Sequence, residues 1–175
     1  SYLRTLSPVN NKVPPSELNF FWKAISAFFL KPYAPEGDIA KSVARDTSVE
    51  YGRYLANAVS GCKDCHTNMD MQTGEFVGEP YAGGQKTPSV TEEPGVWVYT
   101  PNLTPDPETG HIYGWSQDEF VERLKNKGRL VKESIMPWEA YRNMSDNDLI
   151  AIYKYLQTLP PVNHEVKDLV VHEPQ

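Results

Sequence analysis

Cys62-Lys63-Asp64-Cys65-His66 is the stretch on which the reading of this chain turns. Its spacing is C-x-x-C-H, the attachment signature of a c-type haem. Each thiol can add across a haem vinyl group and leave a thioether. Two intervening residues let the sulfurs span the two vinyl positions. The next residue then sits below the ring plane, so His66 is the expected proximal iron ligand. The chain has two cysteines, and the motif uses both. A structural zinc site needs about four ligands, and no second Cys/His pair is present to complete one. A thioredoxin-like redox pair needs no following His and expects a strand before it.

Length and composition set the frame around this motif. The chain has 175 residues, 39% of them hydrophobic and 23% charged, which suits one globular domain with an ordinary core. Net charge is -6, and two haem propionates add to it. A nucleic-acid partner is therefore not expected. Fifteen prolines predict long, stiff connections between short helices. The chain starts without Met or a signal peptide and reads as a mature or trimmed polypeptide. Covalent haem attachment takes place outside the cytoplasmic membrane, so a periplasmic location is expected. No apolar run reaches bilayer-spanning length.

In chain order, Tyr2-Leu-Arg-Thr-Leu-Ser-Pro-Val-Asn-Asn-Lys-Val13 repeats Tyr155-Leu-Gln-Thr-Leu-Pro-Pro-Val-Asn-His-Glu-Val166, with eight of 12 positions identical. The later copy ends the expected last helix, so the chain is read as opening on the tail of a preceding, similar domain. The expected division is an N-terminal extension over 1–34 and a haem domain over 35–175. Residues 18–30, LNFFWKAISAFFL, predict an apolar helix started by Ser16 or Glu17 and ended by Pro32 and Pro35. It is expected to pack on its own domain, dock on another subunit or lie in a membrane interface.

Residues 47–60 predict a helix capped by Thr47 or Ser48, with Tyr51, Leu55 and Val59 as its apolar stripe. Gly52 lies inside it, at a cost of about 1 kcal/mol relative to Ala unless a close helix crossing requires it. Residues 67–100 read as an irregular insertion over the haem edge. A small β-hairpin is expected there, pairing Val96–Tyr99 with residues near Glu75–Val77. Ser116-Gln-Asp-Glu119 is a capping box opening a helix to about Asn126, with Phe120, Val121 and Leu124 on its apolar face. Residues 129–144 read as a helix-free loop presenting Met136, whose soft thioether suits the sixth iron position and whose following Pro137 stiffens the loop. Met69, Met71 and Met144 are the competitors. Ser145-Asp-Asn-Asp148 caps a last helix over 145–159, with Leu149, Ile152, Tyr153 and Leu156 buried. The polar tail is expected to hug the surface or fray.

Together these residues resemble a class I cytochrome c over about residues 45 to 160. More narrowly, PNLTPDPETG…GWSQDEF…MPW…Y…MSDNDLIAIYKYLQTLPPVN is similar to haem domains of multi-haem cytochrome c subunits of bacterial membrane-bound dehydrogenases. The resemblance implies an all-α cytochrome c fold, with a few helices around one covalent haem c. It implies Cys62 and Cys65 at the thioethers, His66 as proximal and Met136 as distal ligand. It also implies Pro101 as the carbonyl that accepts the His66 Nδ1 proton, which orients the imidazole. Leu103 and Leu124 match haem-packing positions, and Trp115 matches an indole donating to a propionate. Gly52 matches the small residue where the first and last helices cross, facing Ile152 and Tyr155. The chain departs from the pattern by two extra residues between Gly52 and Cys62 and by the long 67–100 insertion.

The expected function is one-electron transfer by a periplasmic carrier or carrier domain, with no catalytic residues of its own. Its partners are a dehydrogenase, a quinol-linked complex or a terminal oxidase, with further subunit or membrane-surface contact through 18–30. The alternative is a haem protein with an open iron site that binds small ligands or has enzymatic activity. His111 is then the polar group to ask about, since His164 and His172 lie in the tail.

Overall fold

The computed structural model describes residues 2–29 and 43–174. The expected 34/35 boundary and the stops at Pro32 and Pro35 lie outside the described residues. Residues 2–29 belong to one compact unit and 43–174 to another. In the first, a 3-10 turn spans Tyr2–Thr5 and helix α1 spans Phe20–Phe29. The cap of α1 is Asn19, whose side chain accepts the Trp22 amide at 3.0 Å, and not Ser16 or Glu17. None of the α1 residues is buried, and Phe20 and Phe28 are 88% and 80% exposed.

In the second unit, helix α2 (Val49–Tyr54) starts on Ser48, whose hydroxyl accepts the Tyr51 amide at 3.2 Å. It does not run on as one α-helix. Leu55–Val59 form a π-helical turn, which takes more residues per turn and absorbs part of the extra length before the cysteines. The phase shift also moves the stripe: Tyr51, Leu55 and Ala56 are buried, but Val59 is 56% exposed. Helix α3 (Cys62–His66) follows after Gly61.

Helix α4 (Gln117–Lys125) begins with the complete Ser116/Glu119 capping box and buries Phe120 and Leu124. The following loop is not helix-free, since Trp138–Tyr141 form a short α5. Helix α6 (Asp146–Leu156) opens on the Ser145/Asp148 box and buries Leu149, Ala151, Ile152 and Leu156. Tyr153, expected inside, is only half-buried because its hydroxyl reaches out to donate to the Trp115 carbonyl at 2.7 Å. Helices α2 and α6 cross at Gly52, where a Cβ would lie 1.9 Å from the Ala151 carbonyl oxygen and 2.9 Å from Tyr155 Cβ. Ala151, and not Ile152, is therefore opposite Gly52 with Tyr155. That crossing and α4 enclose one core of Tyr51, Leu55, Phe120, Leu124, Leu149, Ile152 and Leu156.

A small β-hairpin lies within 75–100, as expected, but the all-α expectation needs correcting, because the tail adds a third strand to make an antiparallel sheet, β1-β2-β3. Strand β2 (Val96–Tyr99) pairs with β1 (Lys86–Pro88), not with Glu75–Val77. The 75–77 stretch folds back on Asn68–Asp70 instead, through the Met69/Phe76 bridge. The tail does not fray. Val170–His172 form β3 on the free edge of β2, with Trp97 opposite Val171, because an unpaired edge of backbone donors and acceptors is a template for another strand.

Asp148 ties the first and last helices electrostatically. Burial pushes its carboxyl up, but hydrogen bonds from Ser145 and from Tyr51 (2.8 Å) outweigh this and hold it below its ordinary value of 3.8. A depressed carboxylate adds stability that is complete above the unfolded value and is lost as pH falls through the folded one. D148N therefore lowers stability by about 1 kcal/mol at pH 7. Thermal unfolding at pH 7 and at about pH 3 checks this, since the gap from wild type narrows at the lower pH. An unchanged gap counts against a charged contact.

Candidate haem site

The site starts at α3. Its five residues bring Cys62 and Cys65, three apart, onto one side of a single turn, with His66 one step further. Cys65 is exposed and Cys62 half-buried, with Tyr141 beside it. Burial pushes the Cys62 thiol up to about 11. Burial first, and then Asp64, push Cys65 up as well. Both shifts favour the thiol over the thiolate, which does not suit thiol exchange. Among the described residues no group of three or more His, Cys, Asp or Glu side chains is placed to hold a metal ion.

His66 is 7% exposed, and its Nδ1 donates to the Pro101 carbonyl at 2.9 Å. Burial holds the imidazole down, to about 4; the Pro101 bond opposes this and His111 adds a smaller push downward. The ring is therefore neutral at pH 7. With Nδ1 carrying the proton to Pro101, the lone pair of Nε2 is directed away from that bond.

Pro101 is positioned by a knot of buried polar groups. Asn102, 1% exposed, accepts from the Thr104 amide (2.9 Å) and donates to Thr109 Oγ1 (3.0 Å) and to the Val162 carbonyl (2.8 Å). The chain after α6 thus ties down the loop that holds His66. The 67–100 insertion braces the same place. Gly83 donates its amide to the His66 carbonyl at 2.8 Å. With a φ of 74° and a Cβ that would lie 2.5 Å from Thr100 O and Pro101 C, this position favours glycine on two counts.

The remaining expected residues fall as follows. Leu103 packs against the core and donates its amide to Tyr81 O at 2.8 Å. Leu124 is buried, and Trp115 is half-buried with its ring 5.9 Å from that of His111. Met136 is half-buried and packs on the core. Its rivals are placed otherwise. Met71 is 77% exposed with its sulfur near Gln85 Nε2 (3.3 Å), Met144 Sδ faces the Ser60 hydroxyl at 4.0 Å, and Met69 is bridged to Phe76. His164 is committed to the Ala82 carbonyl through Nδ1 at 2.9 Å, and His172 lies in β3. The donor set at Cys62, Cys65 and His66 fits a covalent haem: two protonated thiols, and beside them one neutral, oriented imidazole.

No protein-family model matches the chain. It is 30% identical over 143 residues, 80% of its length, to the cytochrome c subunit of alcohol dehydrogenase (quinone) from Gluconobacter oxydans. It is 34% identical over 136 residues, 74% of its length, to the gluconate 2-dehydrogenase cytochrome c subunit of Pantoea cypripedii. The chain carries a cytochrome c domain similar to theirs. A third relative is the fructose dehydrogenase cytochrome subunit of Gluconobacter japonicus, 30% identical over 118 residues, 66% of the chain. The chain spans about a quarter of these relatives, 27% of each of the first two and 22% of the third.

Two residues of this cytochrome c domain have no role in the sequence reading. Tyr81 is 1% exposed, with its hydroxyl on Asn57 Oδ1 at 2.9 Å and its ring edge-on to Tyr155. Tyr141 donates to the Ser60 carbonyl at 3.0 Å beside Cys62. Burial pushes both phenols up, so each acts as a neutral hydrogen-bond donor. The one signal for Tyr141 is its place shortly after Met136-Pro137-Trp138; Tyr81 has none, since it lies in an irregular stretch.

Proposed function

We propose that this domain carries one covalent haem c and passes single electrons within a respiratory or dehydrogenase complex. The observation that carries this is the α3 turn, where two thiols three residues apart precede a buried His66 whose Nδ1 donates to the Pro101 carbonyl. The haem, when bound, supplies one-electron chemistry at iron. Cys62 and Cys65 would anchor it, and His66 and Met136 would hold its iron. A neutral thioether beside an apolar core favours the ferrous state and leaves no open coordination position. Leu103 and Leu124 would pack against the ring, and the Trp115 indole N–H would donate to a propionate.

The relatives support the setting. Their names join cytochrome c subunits to alcohol and gluconate dehydrogenases, and a dehydrogenase is accordingly the donor we propose here, in the periplasm. No helix among the described residues is long and apolar enough to cross a membrane. The repeat of 155–166 at 2–13 supports a polypeptide with a further haem domain before this one.

Absorption spectra of the oxidised and dithionite-reduced protein, with and without carbon monoxide, test this. Wild type gives a low-spin spectrum with the weak sulfur-to-iron charge-transfer band, unmoved by carbon monoxide. Met136→Ala loses that band and binds carbon monoxide. Ready carbon monoxide binding by wild type moves the open-iron reading to the front.

A further inference from the structure

The loop that carries Met136 is held mostly by its own neighbours. Ser134 Oγ accepts from the Met136 amide and from Trp138 Nε1, both at 3.3 Å. The Arg123 guanidinium lies 3.8 Å over the Trp138 ring and donates to Gly128 O. Among the described residues, one hydrogen bond reaches residues 128–138 from outside 117–142. The Val90 amide, in the turn between β1 and β2, donates to the Glu133 carbonyl at 3.1 Å.

That turn is built to present the Val90 amide. Ser89 is 4% exposed, and its hydroxyl accepts from the Thr91 amide (3.1 Å) and pairs with Thr91 Oγ1 (2.7 Å). Its backbone donates to Val96 O (3.2 Å) and accepts from the Glu92 amide (3.1 Å). Behind the turn, the sheet is closed by the tail: the Glu173 amide donates to Gly95 O at 2.8 Å, next to the β2/β3 pairing. A hydrogen-bonded path therefore runs from the tail strand through the hairpin to Glu133, three residues before Met136.

We propose that the 89–92 turn clamps the Met136 loop, and that Val90, through its backbone amide, is a positioning residue for Met136 as the distal haem ligand. The proposal rests on the His66/Met136 reading above. The 67–100 insertion then has a second task besides bracing the proximal side. It sets how readily Met136 leaves the iron, and so how closed the site stays to outside ligands.

The test compares V90P, which removes the amide donor, with V90A, which keeps it. Each haem-loaded ferric protein is titrated with imidazole, and the charge-transfer band is followed with rising pH. Losing one such bond makes the Met-off state about fivefold more accessible. V90P therefore binds imidazole about fivefold more tightly and loses the band about 0.7 pH unit lower, while V90A matches wild type. A merely structural bond lowers the thermal midpoint and leaves both readouts unchanged, and V90P equal to V90A overturns the clamp. If V90P does not fold, hydrogen exchange on wild type decides. Imidazole saturation accelerates exchange of the Val90 amide, and unchanged protection overturns the proposal. A wild-type protein without the charge-transfer band overturns the Met136 reading and the clamp together. A wild-type band with silent variants overturns the clamp alone.

Discussion

Gly52→Ala lowers the thermal midpoint by roughly 6 °C, and Gly52→Val prevents the haem domain from folding at 37 °C. In an exposed helix the first change gains about 1 kcal/mol, because Ala is the better helix former. At Gly52 that gain is outweighed. The new Cβ would sit 1.9 Å from Ala151 O and 2.5 Å from Ala151 C. Both are main-chain atoms in the middle of α6, so no side-chain rotation relieves the clash. The two helices must separate, which loosens the packing of Tyr51, Leu55 and Ile152. Overpacking of this kind costs about 3 kcal/mol at the upper end, and for a domain of this size each kcal/mol is worth about 2–4 °C. Thermal unfolding followed by circular dichroism measures it. A midpoint equal to wild type would show that α2 and α6 do not meet at this glycine.

His66→Ala abolishes the low-spin spectrum while leaving the haem attached through Cys62 and Cys65. The change removes the neutral nitrogen and also strands the Pro101 carbonyl, which loses its 2.9 Å donor. Losing the partner of this part-buried acceptor costs about 1 kcal/mol, so the variant is less stable as well. Added imidazole fills the vacated space and restores a low-spin spectrum, since the ring is then supplied from solution. The measurement is the absorption spectrum of the purified variant before and after imidazole. A variant that stays low-spin without imidazole removes His66 from the coordination sphere.

The comparison of the two substitutions shows where this protein's information lies. The proposed ligand His66 is legible at once, because the C-x-x-C-H signature is a spacing within five residues. The capping boxes at Ser116/Glu119 and Ser145/Asp148 are legible for the same reason, since each is a contact between residues three apart. The resemblance extends this to the Pro101 carbonyl, which lies 35 residues from the histidine it meets. Nothing in the local sequence around Pro101 points to that partner.

The errors are all failures of local pattern. Val59 continues the α2 stripe on paper, and a π turn, invisible to a 3.6-residue period, turns it outward. Strands β1 and β3 are three residues each, too short for alternation to mark them. Their pairing with β2 was decided by which edges the folded chain left open. Ala151, and not Ile152, faces Gly52 because the helix crossing sets the contact, whereas hydrophobicity ranks only which residues are buried. Alone, the sequence determined the C-x-x-C-H spacing, the starts of α2, α4 and α6 and most of the core, since each follows from residues close together in the chain. Tertiary structure alone decided the partners of β2, the grip of Asn102 on the chain after α6 and the hairpin's hold on the Met136 loop. Those contacts depend on backbone groups, which every residue but proline carries alike.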